Sequence, residues 1–164
     1  MGPTRIIAVR HGESEANFAY RQAGSTPLVY ERGDDEVALT GPGRTQAAAL
    51  GRLLAALPAG EAPELVWCSP YLRALETWRL AREAWGAGAL PVTVDERLRD
   101  KEAGEFARYN LAAIEQRFPE EVARWLAEGD HAFRPPGGES LGDVVARLGT
   151  SSPTCVGART GGGC

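Results

Sequence analysis

The chain has 164 residues, of which 43% are hydrophobic and 24% charged, with a formal net charge of −4. This length suits one domain, and the balance of residues excludes a wholly disordered chain. No run approaches the ~18 apolar residues of a membrane span, no basic stripe offers a nucleic-acid surface, and Met1 to Arg10 becomes charged too soon for a secretory leader.

Thr4 to Val9 is a short β-branched, apolar run and predicts a buried first strand. It ends abruptly in Arg10-His11-Gly12-Glu13-Ser14. Residues 18–38 hold Gly24, Pro27, Gly33 and Asp34-Asp35 with no steady period, which predicts a long functional loop. Thr40 with Gly41-Pro42-Gly43 marks a helix entrance. Leu50, Leu53, Leu54 and Leu57 then recur at i, i+3, i+4 and i+7, as on an amphipathic helix. Glu64 to Cys68 predicts a second buried strand. Ser69-Pro70 opens a helix reaching about Trp85, with Leu72, Leu75 and Trp78 inward. Pro91 to Val94 predicts a third strand, followed by a polar turn from Asp95 to Glu105.

Asn110 to Phe118 and Pro119 to Glu128 read as two helical pieces hinged at Pro119, with Val122, Trp125 and Leu126 on one face and Gly129 as the stop. After the stiff Arg134-Pro135-Pro136-Gly137-Gly138 loop, Ser140 caps a last helix carrying Leu141, Val144, Val145 and Leu148. Strands alternating with helices predict a three-layer α/β/α sandwich with a mainly parallel sheet. At Gly149 the character changes: the last sixteen residues hold five glycines, two of the three cysteines and no hydrophobic period. That segment, 149–164, is expected to be unstructured, with 1–148 forming the domain.

Among the basic residues only Lys101 is a lysine, a bias that a GC-rich coding sequence explains more simply than phosphate recognition. Cys68, Cys155 and Cys164 are irregularly spaced, form neither a disulfide framework nor a zinc site, and fit a reducing cytoplasm. No metal-ligand cluster is visible.

Three segments can carry chemistry. His11 lies where a strand ends, the edge at which open α/β sheets bind ligands. Arg10 beside it is a fixed cation, and Gly12 permits close backbone approach. An imidazole there can act as a nucleophile, an acid–base group or a metal ligand. Arg73 lies one turn into the helix after the second strand, where a helix N-terminus favours anions. Position alone leaves it equally readable as a solvent-facing arginine. The turn Arg99-Asp100-Lys101-Glu102 can place a carboxyl at the same edge as general acid, or it can be solvated surface.

Taken in order, these motifs resemble the histidine phosphatase superfamily, the phosphoglycerate mutase-like fold. The resemblance runs over about residues 4–148. It starts with Ile6 to Ser14 and Asn17, continues through Leu39-Thr40 with Gly43 and Gln46-Ala47, then Cys68-Ser69-Pro70 with Arg73 and Glu76-Thr77. It ends with Leu98-Arg99-Asp100, Gly104 and Pro136-Gly137-Gly138-Glu139-Ser140. What it implies is a phosphohistidine mechanism. His11 would attack phosphorus, while Arg10, Arg73 and Asn17 hold the phosphoryl oxygens. Asp100 would protonate the leaving oxygen, with Glu102 its substitute. Gly24 and Glu102 join Asn17 as expected substrate-binding positions, and no cofactor or metal is required.

The family carries a second histidine on a late strand, after the helix that begins near Gly138-Glu139-Ser140. This sequence has only two histidines, and the other, His131, precedes that helix. The reading is therefore an incomplete domain lacking a late core strand, with 149–164 a truncated or out-of-frame end. The expected function is a cytoplasmic phosphatase hydrolysing a small-molecule phosphate ester. The alternatives are a phosphoglycerate mutase-type transferase and a catalytically impaired phosphate-binding remnant. Nucleic acid and membrane are not expected partners, and homodimerisation is left open. A nucleotide-binding enzyme is disfavoured, because Gly41-Pro42-Gly43 lacks both a third glycine and a Walker lysine.

Overall fold

The computed structural model describes residues 5–149 except 59, 87 and 89. The expected tail therefore lies outside the described residues. The elements are α1 (Glu15–Ala23), α2 (Gly41–Ala55), β1 (Val66–Cys68), α3 (Leu72–Trp85), β2 (Val92–Val94), α4 (Leu111–Arg117), α5 (Pro119–Glu128) and α6 (Leu141–Gly149), with 3-10 turns at Asp34–Glu36, Glu96–Leu98 and Gly104–Phe106. β1 and β2 pair in parallel, Val66 with Val92 and Cys68 with Val94. Among the described residues no helix is long and apolar enough to cross a membrane.

The helices begin where side chains can accept the free amides of a first turn. Ser14 accepts from the Asn17 amide while Asn17 returns a bond to the Ser14 amide, a complete capping box. Thr40 caps α2 through the Gly43 amide. Asn110 caps α4 through the Ala113 amide. Ser140 and Asp143 cap α6 reciprocally. Gly86 ends α3 at φ 69°, in the left-handed region that favours glycine.

α2 and α3 make the main packing. The inward face of α2 is Gly43, Ala47, Gly51 and Leu54, and that of α3 is Arg73, Thr77 and Ala81. A side chain at Gly51 would overlap the Ala81 carbonyl, so the two helices touch backbone to backbone. This corrects the expected leucine stripe, since Leu53 is 63% exposed. It also corrects the inward face expected for α3, because Leu72 lies outside it. Small residues win these positions because they allow the closest approach. The helix also starts two residues later than Ser69-Pro70 suggested. Its N-cap is Tyr71, without a side-chain cap.

A second core lies under the chain after β2. Phe106, Ile114 and Phe133 are buried together, with Tyr109, Phe118, Val122 and Trp125 packed around them. Trp125 stacks on Phe133 at 5.6 Å. Val122 and Trp125 thus face inward as expected, whereas Leu126, on the same expected face, is exposed.

Three further expectations are corrected. Residues 5–9 of the expected first strand have no regular secondary structure and join no ladder among the described residues, and Ile6 is 82% exposed. A strand needs a paired neighbour, and no described segment forms β pairs with this one. The strand β2 is likewise exposed along its length. The loop expected at 18–38 begins as helix, since α1 runs to Ala23. The α6 stripe is open too, with Leu141 and Val145 exposed.

Candidate functional site

The turn Arg10 to Ser14 is anchored from its downstream side. The Gly12 amide donates to Thr77 Oγ1 (3.1 Å), and that hydroxyl donates to the Arg73 carbonyl (2.7 Å). Gly12 is buried against the backbone of Gly43, and a side chain on either glycine would collide with the facing chain. The Thr40 amide and hydroxyl both donate to Glu13, and the Glu13 amide donates to Gln46 Oε1 (2.8 Å). Glu76 on α3 accepts from the Leu39 amide (2.8 Å) and pairs with Arg44. The turn, the start of α2 and the first half of α3 therefore form one stitched unit.

The His11 ring is half-buried on this unit. Its Nδ1 lies 2.7 Å from the Gly12 carbonyl oxygen. A carbonyl only accepts, so Nδ1 carries the proton and Nε2 keeps its lone pair. Burial pulls the ring below its ordinary pKa, and the charges of Arg73 and Arg10 act the same way. The Gly12 carbonyl and Asp100 pull back less. The outcome is a neutral imidazole with one free nitrogen, the form a nucleophile needs.

Arg73 is buried, its side chain 6% exposed, and bonds to Asp34 and to Asp100 Oδ2 (3.1 Å). Its guanidinium lies over the Tyr71 ring, 4.8 Å from the centroid. Arg10 is exposed and has no hydrogen-bonding partner among the described residues. Arg10, Arg73 and Asp100 each bear on the charge of His11, and Arg73 and Asp100 are paired directly.

The other expected positions fall elsewhere in the same region. The Asn17 oxygen is committed to the capping box of α1. Gly24 ends α1 at φ 54°, a helix-ending role that accounts for the glycine. Glu102 accepts from Arg99 Nε (2.9 Å), whereas the Asp100 carboxylate reaches Arg73. Of the two acids, Asp100 is therefore the one coupled to the guanidinium. His131 is exposed, and its backbone carbonyl accepts from Gly142.

Sequence reasoning missed two supports. Arg147 on α6 donates to the carbonyls of Arg97, Arg99 (2.9 Å) and Asp100 (3.2 Å), and to both oxygens of Glu139. Glu139 also accepts from Arg99 (2.8 Å) and from the Glu102 amide (3.0 Å). This network grips the Asp100 turn from behind. Burial works against the charged form of Glu139, but Arg147, the Glu102 amide and Arg99 outweigh it and hold the carboxyl below its ordinary range. The second support is Asn110, which ties residues 26–28 to α4. Its side chain accepts from the Leu28 amide (2.9 Å) and donates to the Thr26 carbonyl (2.8 Å). The partners of Arg147 lie at i−8 and about 50 positions upstream, outside the i−3 and i−4 spacings that mark a helical ion pair. Nothing in the sequence marked the second.

Comparison with known proteins decides the family. The model of the histidine phosphatase superfamily (branch 1) matches residues 6–152. The chain belongs to the histidine phosphatase superfamily. A 2,3-bisphosphoglycerate-dependent phosphoglycerate mutase 2 of Gloeobacter violaceus is 34% identical over 142 residues, covering 87% of this chain and 58% of that protein. A 2,3-bisphosphoglycerate-dependent phosphoglycerate mutase of Azorhizobium caulinodans is 33% identical over 87% of this chain and 64% of its own. Among solved structures, the alpha-ribazole phosphatase of Shigella flexneri matches with a TM-score of 0.67 at 27% identity, over 87% of this chain and 62% of that one. A mycobacterial glucosyl-3-phosphoglycerate phosphatase matches with a TM-score of 0.63 at 31% identity, over 92% and 66%. This histidine phosphatase chain spans about three fifths of the length of the curated relatives it matches. Its fold is the α/β, phosphoglycerate mutase-like one of these neighbours.

Proposed function

We propose that the chain carries the phosphoryl-transfer site of a phosphatase that hydrolyses a small-molecule phosphate ester through a phosphohistidine at His11. The observation that carries this reading is the His11 ring itself. Its Nδ1 proton is fixed on the Gly12 carbonyl, which leaves Nε2 free, and the charges of Arg73, Arg10 and Asp100 act on the ring.

In the first step the Nε2 lone pair attacks phosphorus, the N–P bond forms and the ester P–O bond breaks. The Asp100 carboxyl, in its protonated form, gives its proton to the leaving oxygen. In the second step a water attacks phosphorus, the N–P bond breaks, and Asp100 takes up the water's proton. Phosphoryl transfer depends on positioning and dispersed positive charge, which Arg10 and Arg73 supply. A mutase reading draws support from the curated relatives, which are named as phosphoglycerate mutases. In that case the phosphoryl group would pass to a second hydroxyl instead of water.

The test is transfer of labelled phosphate from a phosphate ester to the protein, with and without a bisphosphorylated primer. The phosphatase reading expects label on wild type, none on His11→Ala, and release of inorganic phosphate without primer. Dependence on primer would replace it with the mutase. Absence of label while inorganic phosphate still binds would leave a phosphate-binding remnant.

A further inference from the structure

Arg73 is the buried cation of the site, and its terminal N–H groups are already engaged. Nη1 donates to the Asp34 carbonyl (2.5 Å) and to Asp34 Oδ1 (2.8 Å). Nη2 donates to Asp34 Oδ2 (3.2 Å) and to Asp100 Oδ2 (3.1 Å). Each terminal nitrogen of a guanidinium carries two hydrogens, so these contacts use all four. The two parallel bonds to one carboxylate are the same fork that arginine offers a phosphoryl group.

We propose that Asp34 is a specificity-determining residue: its carboxylate occupies the phosphoryl seat on Arg73, and an anion enters only by displacing it. The proposal rests on reading Arg73 as the phosphoryl ligand. Two features make the exchange workable. The Asp34 side chain is 49% exposed and lines an open cleft of about 370 Å³ with Asp35, Pro70, Tyr71 and Glu96, so it has room to swing away. Arg73, by contrast, stays in place, since it is buried, stacked on Tyr71 and held in α3.

Selectivity follows from competition. Asp34 is tethered beside Arg73, so its effective concentration there is high. A free carboxylate brings the same charge and the same two oxygens, and gains nothing by the exchange. A phosphoryl dianion brings more charge and a third oxygen, which the neighbouring Arg10 can meet. The device therefore admits phosphoryl dianions and rejects ordinary carboxylates.

The experiment titrates inorganic phosphate, and separately acetate, into the full chain at pH 8 by calorimetry. Wild type is compared with Asp34→Asn, Asp34→Ala and Asp35→Asn, each checked for an unchanged thermal melt. Asp35 lines the same cleft but has no hydrogen bond among the described residues, so Asp35→Asn removes equal charge without freeing Arg73. The expected result is phosphate binding roughly tenfold tighter in both Asp34 variants, a smaller phosphate-over-acetate preference, and at most a roughly twofold change in Asp35→Asn. Phosphate binding no tighter in the Asp34 variants, with wild type binding normally, would overturn the role of Asp34 and leave the phosphatase reading standing. An equal gain in Asp35→Asn would reduce the effect to bulk charge and overturn it too. Failure of every folded variant to bind phosphate would remove Arg73 as phosphoryl ligand, and both readings with it.

Discussion

Replacing Arg147 with methionine should cost the fold about 3 kcal/mol. The side chain is 13% exposed and holds three backbone carbonyls, those of Arg97, Arg99 and Asp100, besides Glu139. Each carbonyl bond contributes about 1 kcal/mol net, below the ~1.5–3 kcal/mol of a well-buried bond to a charged group because these are part-buried or exposed. The loss of the ion pair adds less than the ~3–5 kcal/mol of a fully orphaned buried charge, because Glu139 keeps Arg99 at 2.8 Å and the Glu102 amide at 3.0 Å. Methionine retains the length and the apolar stem, so the packing change is small. A domain of this size has about 5–15 kcal/mol to lose, which makes the shift easy to read in urea denaturation followed by circular dichroism. Arg147→Lys should recover little of it, since one ammonium cannot span the carbonyls and both carboxylate oxygens together. Glu139→Gln combined with Arg147→Met should fall short of additivity by more than about 0.5 kcal/mol. A loss under about 1 kcal/mol, or full rescue by lysine, would refute the view that this guanidinium clamps the Asp100 turn.

Two further outcomes follow from the site and the helix pair. Burial and the arginine charges depress the His11 pKa, so acylation of His11 by a neutral imidazole-directed reagent, a step that takes no proton from Asp100, should be flat above the ordinary histidine value of about 6.5 and fall only at more acidic pH. By the same linkage the neutral ring costs the native state nothing above that value, and stability is lost as pH falls through the depressed one. A variant His11→Asn should lose that part of the acid sensitivity in pH-dependent melts, and an unchanged acid limb would contradict it. Gly51→Ala should destabilise by about 1–3 kcal/mol, because the added methyl would overlap the Ala81 carbonyl; a thermal melt at or above wild type would show that α2 and α3 can part freely.

The family was far more legible than the packing. The motifs that carry His11, Arg10, Arg73 and Asp100 could be read in chain order because they depend on residue type and spacing. The helix starts at Thr40 and Ser140 were legible for a similar reason, since capping is local, although the sequence reading misses the capping box at Ser14 and expects at Ser69 the cap that Tyr71 holds. Burial is not local. The leucines of α2 repeat at helical spacing, yet Gly43, Ala47 and Gly51 take the inside because the partner helix comes close enough to exclude anything larger. The apolar run before Arg10 has strand-like composition, but pairing depends on a neighbour that composition does not specify. Asp34 was invisible for a third reason. An aspartate in an irregular loop reads as solvated surface, and only the fold brings it across 39 positions to Arg73.

The way His11 is held has a mechanical corollary. The residues leading into it form no ladder among those described, so order does not reach the imidazole along the chain from its N-terminal side. It arrives instead through a clasp: Gly12 wedged against Gly43 and hooked on the Thr77 hydroxyl, itself tied to the Arg73 backbone. The ring-bearing turn and the backbone of the guanidinium residue thus share one mounting, supplied by the chain downstream of His11.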